Sequence, residues 1–148
     1  MFDKFGEFGS SEELNRAAEG LREEGDLDSL RALAEENGID IEDANDYATL
    51  ETDMFSTPYT AAMGRLAVYE KASKNPATAN AVIYTMIRSM LEDGHLQTQV
   101  MAKGKNPDSI YNAMREEASK ARVGNVGIVC GTDRDLRERI LHYYGGRA

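Results

Sequence analysis

Residues 76–93, PATANAVIYTMIRSMLED, constrain the fold more than any other stretch of this chain. Ala79, Val82, Ile83, Met86, Ile87, Met90 and Leu91 recur at three- and four-residue spacing, which lays a broad apolar stripe along one side of an α-helix. Asn75 is the expected N-cap, and Pro76 the first helical residue, where a missing N–H costs nothing. Gly94 is the expected stop. A stripe that wide needs neighbours on more than one side, so this segment is predicted to sit at the centre of a helical core.

The flanking segments carry their own start and stop signals. Ser10 and Glu13 form a capping-box pattern opening a helix to about Glu24, with Leu14, Ala17, Ala18 and Leu21 on one face and Gly25 as its stop. Asp26 caps a shorter helix carrying Leu27, Leu30 and Leu33 and ended by Asn37-Gly38; Asp40 caps a third, to about Tyr47. Pro58 opens a fourth helix, with Tyr59, Met63, Leu66 and Tyr69 expected inward and Arg65, Glu70, Lys71 and Lys74 outward. After the central helix come a short helix within 96–102 and one opened by Asn106-Pro107, with Ile110, Tyr111, Met114 and Ala118 on its apolar face. Thr132 caps a last helix to about Tyr144, with Leu136, Ile140 and Tyr143 or Tyr144 inward and Arg134, Arg137 and Arg139 outward. The run VGIVCG is the one β-like stretch and has no evident partner strand, so it reads as a linker. Phe2, Phe5 and Phe8 repeat every third residue, the pattern of one apolar helical turn able to dock on another surface or a second copy.

The fold class predicted is therefore all-α. A small acidic three-helix unit over residues 1–50 is followed by a connection over 51–57 and a bundle of four to five helices over 58–148. No stretch approaches the ~20 apolar residues that span a bilayer. The opening MFDKFGEF lacks the basic-then-apolar plan of a secretion signal, so a cytoplasmic protein is expected.

Enzyme signatures are sparse. Gly124, Gly127 and Gly131 follow a helix instead of a strand and no Gly-Lys-Ser/Thr closes them, so they do not read as a phosphate loop. Cys130, His95 and His142 are the only nucleophile and base candidates, and nothing in their spacing brings them together. A lone cysteine beside Ile128 and Val129 reads as a small buried hydrophobe. The expectation is no catalytic residue, no metal and no cofactor.

Charge is the stronger functional signal. Residues 1–55 hold 17 Asp or Glu against 4 Lys or Arg, for −13, whereas residues 56–148 hold 9 against 13, for +4. Glu12, Glu13, Glu19, Glu23 and Glu24 lie along the first helix, Asp28, Glu35 and Glu36 along the second, and Asp40, Asp43 and Asp46 along the third. Duplex DNA carries one charge per ~1.7 Å of axis and a helix rises ~1.5 Å per residue, so carboxylates on adjacent helices can imitate a phosphate track. The plainer reading is a solvated face that keeps the protein soluble. Conversely, Lys71, Lys74, Lys103, Lys105, Lys120, Arg122, Arg134, Arg137 and Arg139 offer a basic surface for single-stranded DNA, with Tyr143 and Tyr144 to stack on bases. The two surfaces can also neutralise each other within the molecule.

The segment SIYNAMREEASKARVGNVGIVCGTDRDLRERILHYY is an amphipathic helix, a Gly- and Val-containing joint and a helix ending in His142, Tyr143 and Tyr144. It resembles the PcfK-like proteins of conjugative elements and the related anti-CRISPR proteins that inhibit a type II CRISPR effector nuclease. The likeness covers about residues 107–144, and His142, Tyr143 and Tyr144 are the positions that match. It implies a mobile-element accessory protein whose partner is a CRISPR effector nuclease.

Overall fold

A computed structural model describes residues 1–120 and 132–145. Among them are eight helices and no strand: α1 Ser11–Glu23, α2 Leu27–Glu36, α3 Ile41–Ala48, α4 Pro58–Ala72, α5 Ala77–Glu92, α6 Gln97–Val100, α7 Asp108–Lys120 and α8 Asp133–Tyr144. The all-α class is as the periodicity predicts. The VGIVCG run lies outside the described residues.

Local chemistry sets most boundaries. Ser10 Oγ accepts from Glu13 N at 3.1 Å, Asp26 from Ser29 N at 3.1 Å and Asp40 from Glu42 N at 2.7 Å. Each satisfies an amide that the first helical turn leaves free. Thr57 and Thr132 close full capping boxes with Thr60 and Asp135. One expected cap fails. Pro76, not Asn75, occupies the N-cap position of α5, and no side chain caps that end. The Asn75 amide instead donates to the Asp108 carbonyl at 3.4 Å, because α7 packs beside this joint.

The apolar side chains gather in two clusters. The larger unites α4–α8 around Leu66, Ile83, Tyr84, Ile87, Met90, Leu91, Ile110 and Ile140. Tyr84, Ile87, Met90 and Leu91 of α5 are fully buried, so α5 is central as expected, although Val82 from its predicted stripe stands 56% exposed. The smaller cluster joins Leu14, Ala18, Leu30, Leu33, Ala44 and Tyr47 of α1–α3 with Phe55, Ala61 and Met101 from the rest of the chain. Helix α4 is the seam. Ala61 faces the small cluster, while Ala62, Leu66 and Tyr69 face the large one. A helix buried on two sides cannot keep a wide polar face. Arg65, expected outward, is accordingly 1% exposed.

At this seam the chain approaches itself backbone to backbone. Gly38 ends α2 in the left-handed region (φ +67°), with the Ile39 amide returning to the Ala34 carbonyl at 2.8 Å. Gly64 of α4 lies directly against Gly38, so that a Cβ on Gly38 would sit 2.8 Å from the Gly64 Cα. The two glycines let α2 and α4 meet without side chains between them.

The first nine residues are not helical. Phe2 has a positive φ of 56°. Its ring packs edge-on against Tyr69 with centroids 6.0 Å apart, whereas Phe5 and Phe8 pack on the smaller cluster. The three phenylalanines therefore strap the two clusters together instead of forming one turn.

Two predictions follow from these local features. At the end of α3, Leu50 occupies the left-handed region (φ 63°) with its side chain 70% exposed. Leu50→Gly is expected to stabilise the protein by ~0.5–1 kcal/mol, since a left-handed residue with a Cβ costs ~1–2 kcal/mol and glycine's extra unfolded-state entropy takes back part of the gain. A rise in urea midpoint with unchanged slope is the expected signature.

The second concerns phenols. Burial pushes the Tyr69 hydroxyl up from 10.0 to about 12, and it raises Tyr84 and Tyr144 further. Each folded-state value lies above the unfolded one, so the native state holds these protons more tightly. The stabilisation is fully present below about pH 10 and is lost as pH rises from there through the folded values. Alkaline titration is expected to show phenolate absorbance from these tyrosines only together with unfolding.

Candidate partner-binding surface

The capping and packing just described divide the eleven nominated carboxylates into two groups. Glu12, Glu19, Glu23 and Glu24 are exposed along α1, as Leu14 and Ala18 take the buried face. Asp28, Glu35, Asp40 and Asp43 extend the exposed acid across α2 and α3. The other three are half-buried, and two of them serve the fold directly. Glu13 accepts from Gly9 N at 2.8 Å, and Glu36 accepts from Lys4 N at 3.1 Å and Phe5 N at 3.0 Å, anchoring the aromatic strap. Asp46 is half-buried in α3. Asp40, though exposed, spends one oxygen on its own helix cap.

Little neutralises this surface from within. Among the described residues, Asp28 and Glu7 are the only carboxylates of the first 55 residues with a Lys or Arg within 4 Å. Asp28 lies 4.0 Å from Arg31 and Glu7 lies 3.0 Å from Arg65. Among the described residues, the Glu7–Arg65 pair is also the one such bridge from this segment to the rest of the chain. Mutual cancellation of the acidic and basic halves is thus not what the packing achieves. Exposed like charges repel, and only a basic partner or counterions relieve them.

Of the nine basic side chains nominated on the other half, four are paired and Arg137 is half-buried. Arg139 meets Glu117 at 2.6 Å, Arg134 meets Glu138 at 3.3 Å and Lys120 meets Glu116 at 3.4 Å. Lys105 donates to the Tyr143 carbonyl at 3.0 Å and sits 4.7 Å from that ring's centroid. Lys71, Lys74 and Lys103 are exposed, and Arg122 lies outside the described residues. The tyrosines proposed to stack on bases are not free to do so. Tyr144 is 6% exposed, and the Tyr143 hydroxyl accepts from Asn106 N at 2.9 Å while its ring packs edge-on against Tyr144. His142 is exposed, Tyr143 half-buried and Tyr144 buried.

A buried charge was missing from the sequence reading. The Arg65 guanidinium donates to Glu7 Oε1 at 3.0 Å, to the Met101 carbonyl at 3.4 Å and to the Phe8 carbonyl. Glu7 Oε1 also accepts from the Tyr69 hydroxyl and Gly104 N, each at 3.0 Å. The one available hint was that Arg65 lies between Gly64 and Leu66 on a helix whose Ala61, Ala62 and Tyr69 are also buried. A second polar knot ties α4, α5 and α7. Asp108 accepts from Ser73 Oγ at 2.8 Å and from the Tyr84 hydroxyl at 3.0 Å.

Both clusters of polar side chains bridge elements of the fold. His95 is half-buried after α5, His142 is exposed on α8 and Cys130 lies outside the described residues. Among the described residues no three His, Cys, Asp or Glu are gathered to hold a metal ion, and no helix is long and apolar enough to cross a membrane. No family model matches the chain, and no curated protein and no solved structure matches it.

Proposed function

We propose that this chain is a non-catalytic binding protein that presents the carboxylates of α1–α3 to a basic, nucleic-acid-binding channel of a partner protein. The partner is an RNA-guided CRISPR effector nuclease, and the chain is a cytoplasmic inhibitor carried by a mobile element. The observation that carries the binding mode is the set of exposed carboxylates at Glu12, Glu19, Glu23, Glu24, Glu35 and Asp43, none with a Lys or Arg within 4 Å among the described residues. The likeness of residues 107–144 to PcfK-like and anti-CRISPR proteins supplies the class of partner.

Two competing readings find less support in the packing. Single-strand binding through the C-terminal helices needs free rings beside its cations, and Tyr143 and Tyr144 pack against each other while four of the nine nominated basic side chains are paired within the chain. Self-association through Phe2, Phe5 and Phe8 needs those rings exposed, and they pack on the chain's own two clusters.

The test is capture of effector nucleases by the tagged protein, with and without guide RNA, at ~50 and ~200 mM salt, across which multi-phosphate contacts lose orders of magnitude in affinity. Capture is expected to be salt-sensitive and competed by DNA or guide. Replacing Glu12, Glu19, Glu23, Asp28 and Glu35 together by Lys is expected to abolish capture, while stability stays within ~0.5 kcal/mol per exposed site. Undiminished inhibition by that variant would end the mimicry reading.

A further inference from the structure

The seam between the acidic helices and α4 leaves a pocket of about 240 Å³. It is lined by Gly38 and Gly64, by Tyr59 and Met63 of α4, and by Asp40 and Asp43 at the start of α3. Both aspartates are exposed, and the two α4 side chains are half-buried. No Lys or Arg lines it. A larger groove of about 640 Å³ beside Phe2 and Glu35 is less selective, since Lys71 shares its rim with the acids.

We propose that the Asp40–Asp43–Tyr59–Met63 pocket is an arginine-accepting anchor for the basic partner. The inference rests on the reading of the acidic helices as the partner-facing surface and adds a specific point of attachment to it. An arginine matches this lining. Its aliphatic stem packs on Met63, its planar guanidinium lies on the Tyr59 ring, and its fork of donors meets the two carboxylates. Asp40 uses one oxygen to cap α3 and Asp43 has no hydrogen-bond partner among the described residues, so acceptors remain for such a fork. Charge decides against a phosphate or an acidic peptide. The positive end of the α3 dipole, worth about half a charge, is outweighed by the two aspartates together with Glu42 in the same turn. The chain already uses this chemistry internally, with the Arg22 guanidinium 4.0 Å from the Tyr47 ring centroid while it donates to the Tyr47 carbonyl at 3.4 Å. Gly38 and Gly64 meet backbone to backbone beside these side chains, and arginines seated in pockets are among the residues that dominate interfaces.

The experiment titrates the full chain with acetyl-Gly-Arg-Gly-amide and follows backbone amide shifts, with citrulline and lysine peptides as controls. Shifts are expected at Gly38, Asp43, Tyr59, Met63 and Gly64, with a Kd on the order of 1 mM for the arginine peptide. The neutral citrulline peptide is expected not to bind and the lysine peptide to bind more weakly. Asp43→Asn, which leaves the α3 cap intact, and Tyr59→Leu are each expected to weaken binding by ~fivefold or more. Shifts spread along α1, equal affinity for arginine and lysine, or no localised shift would each overturn the proposal. Nuclease capture separates it from the wider reading. Capture lost in the five-charge variant but retained in Asp43→Asn removes the pocket and leaves the inhibitor standing. Localised arginine binding with no nuclease captured supports the pocket and removes the proposed partner.

Discussion

Replacing Arg65 by methionine is expected to destabilise the protein by about 3–5 kcal/mol, the usual cost of removing one member of a buried ion pair. Methionine fills much of the same volume, so the loss is one of charge and hydrogen bonds. It strands the Phe8 and Met101 carbonyls and leaves Glu7 facing only Tyr69 and the Gly104 amide. Because Glu7 is 26% exposed while Arg65 is 1% exposed, Glu7→Gln is expected to cost less than Arg65→Met. The double variant is expected to be more stable than the two single losses summed, as neighbours sharing one network do not add. Urea unfolding of the three variants checks this. An Arg65→Met cost below ~1 kcal/mol would mean that the phenylalanines and the Glu36 contacts hold the strap without it, since a surface pair is worth no more than that.

Gly38→Ala is expected to be comparably severe. The left-handed conformation alone charges a residue with a Cβ ~1–2 kcal/mol, and the overlap with the Gly64 backbone adds the ~1–3 kcal/mol or more of an overpacked contact. Gly25 and Gly104 provide the control. Both have positive φ, of 71° and 79°, but a Cβ at either meets nothing within 4 Å. Alanine there is expected to show the conformational part only, so the difference isolates the steric part. Gly64→Ala, with ordinary helical φ and a Cβ that would overlap the Asn37 carbonyl oxygen, is expected to show chiefly the steric part. Equal midpoints for Gly25→Ala and Gly38→Ala would mean that α2 and α4 separate at little cost.

These two sites mark where the sequence stopped being legible. Gly38 reads correctly as a helix stop, yet nothing local to Asn37-Gly38 points to Gly64, 26 positions on. Arg65 reads as a solvent-facing charge because a helical period normally sends charges outward, and only burial of α4 on both sides reverses that. The Phe2-Phe5-Phe8 spacing fits a helical turn, but Phe2 and its two companions serve different clusters, which an extended strap can reach and one helical face cannot. The acidic helices were far more legible. Exposed carboxylates at Glu12, Glu19, Glu23 and Glu24 follow from the apolar face opposite them, whereas the diversion of Glu13 and Glu36 into backbone contacts depends on where Gly9 and the Lys4-Phe5 amides come to lie.

What the sequence by itself determined is the set of helices, most of their ends and the side on which the acid accumulates. Caps, stops and the 3.6-residue period act over a few neighbouring residues and need no knowledge of the rest. Only the tertiary structure decided that α4 is shared between two clusters, that Arg65 and Glu7 meet across 58 positions, that the Tyr143 hydroxyl accepts from the Asn106 amide, and that a seam pocket opens beside Asp43. Those outcomes arise from contacts distant in the chain, where many pairings satisfy the same local pattern and packing selects among them.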